Sequence, residues 1–301
     1  MDASSAPTVL VQLHGGLGNQ LFQAAAGLAL ADRMGARLMV DLARFRDRSL
    51  RGYALAPLPV GAQIWPGGGP GMIERLRARF DKARGGKGVR RPPGWRGKVH
   101  AEPHYHYDPA FEALSGDLSG DVLIAGFFQS ARYFAGREAL VRSRFDASGA
   151  VSDHARDCAA LLAVEDSVAV HIRRGDYVND PRAAAVHGAL TEDYYLRALD
   201  HVRAQAPHAR VFVFSDDPAF AASCAARWGG ESMAGASALD DLWLMSLCRR
   251  HVIANSSFSW WSAFLDPRPD AMVIAPVQWF APAMMAKTRV EDVYPPHWLR
   301  M

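Results

Sequence analysis

Four short apolar runs in the second half of the chain, at 168–172, 210–214, 251–254 and 272–275, are separated by stretches that read as helices at 191–206, 218–228, 239–250 and 258–265. Strands that are apolar on successive positions are buried on both faces, and their alternation with helices at this spacing dictates a mostly parallel sheet covered on each side. The first half opens in the same rhythm. An apolar run at 9–13 enters the turn His14-Gly15-Gly16-Leu17-Gly18-Asn19-Gln20, a small-residue helix follows at 21–34, and further strands are expected at 37–41 and 122–128. With 301 residues the chain exceeds a comfortable single core. Two α/β halves, 1–148 and 149–301, are therefore expected to face one another across a cleft. No internal repeat of solenoid or propeller period is present.

Composition narrows the class. The chain is 50% hydrophobic and 22% charged, which describes a globular protein. No apolar stretch reaches the length of a membrane span. The N-terminal residues lack the basic and apolar regions of a secretory signal, so a cytoplasmic location is expected. Cys158, Cys224 and Cys248 are widely spaced, form no Cys-x-x-Cys pair, and read as reduced structural thiols.

Charge is unevenly spread. Residues 61–98 hold ten Lys/Arg against Glu74 and Asp81, a balance of +8 that leaves the remainder at −5. This stretch is rich in Gly and Pro and predicts a solvated excursion around one basic helix near 72–84. It fits a peripheral contact with an anionic membrane surface, or an Arg-rich insertion with no such role. The charge run does not by itself call for nucleic acid.

The candidate site residues lie at strand ends. His171-Ile172-Arg173-Arg174-Gly175-Asp176 follows the 168–172 run directly, and guanidiniums at such a place suit carboxylate or phosphate oxygens. The competing reading is an ion-pair network with Asp176 and Asp180. Asn255-Ser256-Ser257 opens a helix after another strand and offers hydroxyls and backbone N–H groups to phosphate, or simply a serine cap. Ser215-Asp216-Asp217-Pro218 reads better as a helix start than as a metal clamp. The first glycine turn lets the backbone approach a ligand, with Asn19 and Gln20 as amides at a helix N-terminus. Gly16, Gly18 and Asp41 suggest a nicotinamide-dependent oxidoreductase, but Leu21 stands where that fingerprint needs a small residue.

Taken together and in order, Gly15 to Gln20, His171 to Asp176, Phe214-Ser215-Asp216-Asp217 and the octapeptide Ala254-Asn255-Ser256-Ser257-Phe258-Ser259-Trp260-Trp261 closely resemble bacterial α-1,2-fucosyltransferases of glycosyltransferase family 11. The His106-Tyr107-Asp108-Pro109 stretch is similar as well.

The resemblance implies a GT-B architecture of two Rossmann-like domains, acceptor-side first and donor-binding second. It implies GDP-β-L-fucose as donor and inverting transfer to the 2-hydroxyl of a galactose in an oligosaccharide or glycolipid, with no metal and no other cofactor. On that basis Arg173 holds the leaving β-phosphate, with Arg174, Asp176 and Asp216 in support. His171 and Asp241 read guanine, while Asn255, Ser256 and Ser257 serve the phosphate from the second turn. Asn19 and His14 lie near the reacting centre, and Gly15, Gly18, Gln20, His106 and Asp108 lie on the acceptor side. His14, Asp176 and Asp108 are candidate bases. A non-catalytic nucleotide- or glycan-binding module is the remaining alternative.

Overall fold

The computed structural model describes residues 6–45, 52–66, 89–116, 120–164 and 166–301. Most of the Gly- and Arg-rich excursion, including the basic helix expected near 72–84, lies outside the described residues. The chain divides into two compact units at Arg144/Phe145.

In the first unit, strands β1 (Thr8–Gln12), β2 (Arg37–Asp41), β3 (Gln63–Ile64), β4 (Lys98–Ala101) and β5 (Val122–Ala125) form one sheet in the order β3-β2-β1-β5-β4. Every pairing is parallel. All five residues of β1 are buried, as a central strand covered on both faces requires. Helix α1 (Leu17–Met34) lies against β1 through Gly27, where a Cβ would collide with the Val11 side chain. Its Ala-rich face permits this close approach. Gly35, in the left-handed region at φ 61°, ends the helix. Helix α2 (Glu138–Arg144) closes the unit.

The second unit holds β6 (Ser167–Ile172), β7 (Arg210–Ser215), β8 (Glu231–Ser232), β9 (Arg250–Val252), β10 (Met272–Ala275) and β11 (Leu299–Arg300). They pair in parallel in the order β11-β10-β9-β6-β7-β8. Its helices are α3 (Asp153–Leu162), α4 (Gly175–Asn179), α5 (Pro181–Val186), α6 (Glu192–Gln205), α7 (Pro218–Trp228), α8 (Ala238–Leu247), α9 (Ser257–Leu265) and α10 (Pro282–Met285). Val168, Val170, Val211, Val213 and Val252 build the core with Tyr195, Leu199 and Trp228. Trp260 and Trp261 on α9 are fully buried. Truncating either to Ala would cost about 3–5 kcal/mol.

Two local expectations need correction. Helix α1 begins at Leu17, not at 21, so Gly18, Asn19 and Gln20 belong to its first turn. Helix α6 begins at Glu192 rather than 191, and Thr191 stands before it at the N-cap position without a side-chain capping hydrogen bond. Among the described residues, no helix is long and apolar enough to cross a membrane.

Candidate active site

In an open parallel sheet, ligands gather at the carboxyl ends of strands where the strand order reverses direction. In the second sheet that point lies between β6 and β9, which carry the two sequence motifs. Their loops are tied together, because the Tyr177 hydroxyl donates to the Asn255 carbonyl at 3.1 Å.

Arg173 follows β6 directly. Its Nη2 reaches Asp176 Oδ1 at 2.6 Å and its Nη1 reaches Asp216 Oδ2 at 2.8 Å, while the guanidinium lies 5.5 Å from the Tyr177 ring centroid. Two carboxylates thus hold the fork in one orientation. A guanidinium has five N–H donors, so Nε–H and one hydrogen on each Nη stay available for an oxyanion. Asp216 also accepts from the backbone N–H of Arg174 at 2.9 Å and of Gly175 at 3.2 Å. Gly175 is required for this approach, since a Cβ there would overlap Asp216 Oδ2.

The two arginines diverge, which the sequence does not indicate. Arg174 turns to the start of α7, where Nε donates to Asp217 Oδ2 at 3.3 Å and the guanidinium covers the Phe220 ring at 3.8 Å. Its placement is that of a packing residue. The ion-pair reading was right about Asp176 but not about Asp180, which caps α5 by accepting from Arg182 N. Asp217 caps α7 through Phe220 N with Pro218 behind it, the arrangement of a helix start.

On the β9 side, Ser256 is the N-cap of α9 and accepts from Phe258 N at 3.3 Å. Ser257 stands in the first turn. Asn255 is only 2% exposed, and its Nδ2 donates to the carbonyls of His187 and Gly188 at 3.0 Å each. It braces a neighbouring loop with those hydrogens, so its expected contact with phosphate through that amide does not fit. His171 is buried, and burial together with the Arg173 charge pushes its pKa down to about 3, so the ring is neutral. Its Nδ1 has no hydrogen-bond partner among the described residues, an unusual state for a buried polar atom. Asp241 sits in the first turn of α8 and accepts from Gly235 N at 2.5 Å. Burial, reinforced by Asp240, raises its pKa to about 6.

In the first unit, Gly15 adopts φ +80°, and a Cβ there would stand 2.7 Å from Asn19 Nδ2. Asn19 Oδ1 accepts from Gln129 Nε2 at 2.9 Å. Gln23 Oε1 accepts from His14 N at 2.9 Å, which orients the amide so that its Nε2 donates to His14 Nδ1 at 3.0 Å. The imidazole therefore carries its proton on Nε2. Burial and Arg44 lower its pKa to about 4. A ring that presents N–H and resists protonation is poorly suited to the expected role of base.

Gln20 is also reassigned. It is fully buried, donates to the Gly15 and Gly52 carbonyls and accepts from Ala54 N, so no group remains for an acceptor sugar. Gly18 is buried within α1. Asp108 accepts from Ala110 N at 3.0 Å and begins the turn Pro109–Gly116, while His106 stacks on His104 with ring centroids 3.3 Å apart.

Sequence reasoning missed Glu102. This buried carboxylate accepts from Phe127 N at 2.7 Å, from Phe128 N at 3.1 Å and from the Tyr133 hydroxyl at 3.1 Å. It stabilises Phe128 at φ 52°, a left-handed conformation unfavourable for a bulky residue. The turn it secures carries Gln129, and hence Asn19. Gly126 was the available signal: a Cβ there would strike Glu102.

A parallel α/β unit with an immobilised guanidinium at its reversal point belongs to the general class of nucleotide-binding folds. Comparison with known proteins is more specific. The description "Glycosyl transferase family 11" matches residues 120–301. An α-1,2-colitosyltransferase of Escherichia coli is 30% identical over 97% of this chain and 98% of its own length. A galactoside 2-alpha-L-fucosyltransferase of Caenorhabditis elegans is 26% identical over 66% of this chain and 57% of its own. The crystal structure of fucosyltransferase NodZ from Bradyrhizobium, 14% identical, covers 88% of this chain and 95% of that one at a TM-score of 0.49. The chain belongs to glycosyltransferase family 11. Membership of that family leaves the nicotinamide reading without support.

Proposed function

We propose that the protein transfers L-fucose from GDP-β-L-fucose to the 2-hydroxyl of a galactose in a glycan, with inversion to an α-1,2 linkage. The observation that carries this reading is the Arg173 guanidinium, fixed by Asp176 and Asp216 at the end of β6, the strand paired with β9, after which the chain enters α9. Cleavage of the fucosyl–phosphate bond leaves negative charge on the departing diphosphate. A preoriented guanidinium and helix N-terminal N–H groups stabilise that charge as it develops. The sugar gains oxocarbenium character and is attacked from the opposite face, and the acceptor hydroxyl gives up its proton. In this reading Arg173 binds the β-phosphate, Ser256 and Ser257 approach from the second loop, and His171 and Asp241 meet guanine. The unpaired Nδ1 of His171 supports its part. The family resemblance assigns Asn19 of the first unit a part in the reaction.

No metal has a role in this reading. Asp216 and Asp217 are engaged with the arginines and the α7 cap. Turnover is expected to persist in EDTA; a strict Mg²⁺ or Mn²⁺ requirement would contradict this.

The colitosyltransferase relative favours a second donor, because colitose is fucose without its 3-hydroxyl. Incubation with GDP-fucose or GDP-colitose and a panel of galactose-terminated glycans, with linkage analysis of the product, tests both. An α-1,2-fucosylated galactoside supports the first reading, transfer from GDP-colitose alone replaces the donor, and GDP binding without transfer from either favours a binding module.

A further inference from the structure

The first unit contains a cavity of about 410 Å³ that the motifs reach only through His14, within the range of about 300–1,000 Å³ typical of small-ligand pockets. It lies at the carboxyl ends of β1 and β5, where the order of the first sheet reverses: Gln12 ends β1, Ala125 ends β5, and both line it. One wall is aromatic. Tyr105 stacks on Phe127 with centroids 5.7 Å apart at 22°, and Phe127 meets the His14 ring edge-on at 4.7 Å.

The remaining feature is Arg44, which also lines the cavity and makes no hydrogen bond or ion pair with a described residue. The acids close by are engaged. Asp41 accepts from Ala43 N and Gln12 Nε2, and Glu102 is bound by Phe127 N, Phe128 N and Tyr133. Burial and the neighbouring Arg90 both disfavour the Arg44 charge, with Asp41 in partial compensation. A cation with donors to spare, in a cavity whose one lining carboxylate, Glu102, is already engaged, is a site for an anion.

We propose that this cavity binds a pyranoside bearing an anionic substituent, a carboxylate or a phosphate, with the ring on the Tyr105–Phe127 wall and the anion at Arg44. If the transferase reading holds, this pyranoside is part of the acceptor, and the enzyme decorates an acidic glycan.

The test separates the two claims by measuring binding without donor. Methyl β-galactopyranosiduronate, galactose 6-phosphate and methyl β-galactopyranoside are titrated against the full chain and against Arg44→Gln by saturation-transfer NMR and calorimetry. One or both acidic probes bind about tenfold or more tightly than the neutral one, and Arg44→Gln removes the preference while GDP binding is retained. The tighter acidic probe identifies the anion. Equal affinity for all three probes, or an unaltered preference in Arg44→Gln, overturns the inference. Fucose transfer to a neutral galactoside with no acidic preference would retain the transferase and remove the acidic subsite. Acidic preference without transfer from GDP-fucose would do the reverse.

Discussion

Asp216 holds the Arg173 side chain and the next backbone N–H at once: Oδ2 binds the guanidinium at 2.8 Å, and Oδ1 accepts from Arg174 N at 2.9 Å. One carboxylate from the end of β7 thus fixes both the side chain and the loop that presents it. Asp216→Asn is expected to weaken the grip and lower kcat more than it raises KM, because the substrate still binds to a fork that is no longer held for the transition state. Steady-state kinetics reads the split. Unchanged kcat would show that Asp216 does not orient the fork.

Gly175→Ala tests the same contact from the backbone. The added methyl would displace Asp216, so activity should fall about as far as in Asp216→Asn, and the double variant should add little. Independent, multiplicative losses would contradict the shared mechanism.

Asp241 supplies a pH dependence with a definite sign. Its pKa of about 6 leaves it partly protonated in mild acid, whereas pairing with guanine N1 and N2 donors needs the carboxylate. GDP affinity should rise as pH increases through about 6 and level off above it. Asp241→Asn should abolish that rise and relax the preference for GDP over ADP. Calorimetry between about pH 5 and 7.5 decides it, and a wild-type affinity independent of pH would remove Asp241 from guanine recognition.

Glu102 is expected to matter for stability and, through Gln129, for Asn19. Glu102→Ala leaves the N–H groups of Phe127 and Phe128 unpaired and should destabilise the fold by about 3 kcal/mol. Gln129→Ala, which leaves that turn intact, should cost little stability but reduce kcat. Denaturant titration beside kinetics separates the two effects, and a Gln129→Ala enzyme with full kcat would disconnect the turn from the reaction.

His171 gives the folded state an acid sensitivity. Its pKa is about 3 when buried and near 6.5 when unfolded, so the unfolded chain binds the extra proton between those values. Stability from this group is complete above about pH 6.5 and declines as pH falls towards 3. Asp241 acts in the opposite sense between about 4 and 6. The clean readout is therefore the difference between wild type and His171→Asn, which should narrow on acidification; a constant difference would contradict the buried neutral imidazole.

The parallel sheets were readable because β1 and β6 are buried on every residue and interrupted by glycine and serine turns. Edge strands carry no such mark. Lys98–Ala101 is exposed or half-buried along its length and sits in a basic stretch, so its pairing with β5 had no local signature. The site followed the same division. Motif positions could be named from their turns, but which groups were already engaged depended on partners far along the chain. Gln20 is satisfied by residues 52 and 54, Arg174 by Asp217, and Phe127 by Glu102. No periodicity encodes those contacts.

The most direct measurement is the turnover of GDP-fucose onto a galactoside by Arg173→Ala, with Arg173→Lys as the charge-retaining control. Loss of the fork should lower kcat by about a hundredfold or more and weaken GDP binding, with Lys recovering only part of both. An Arg173→Ala enzyme that turns over at the wild-type rate would contradict the assignment of this guanidinium to the leaving phosphate.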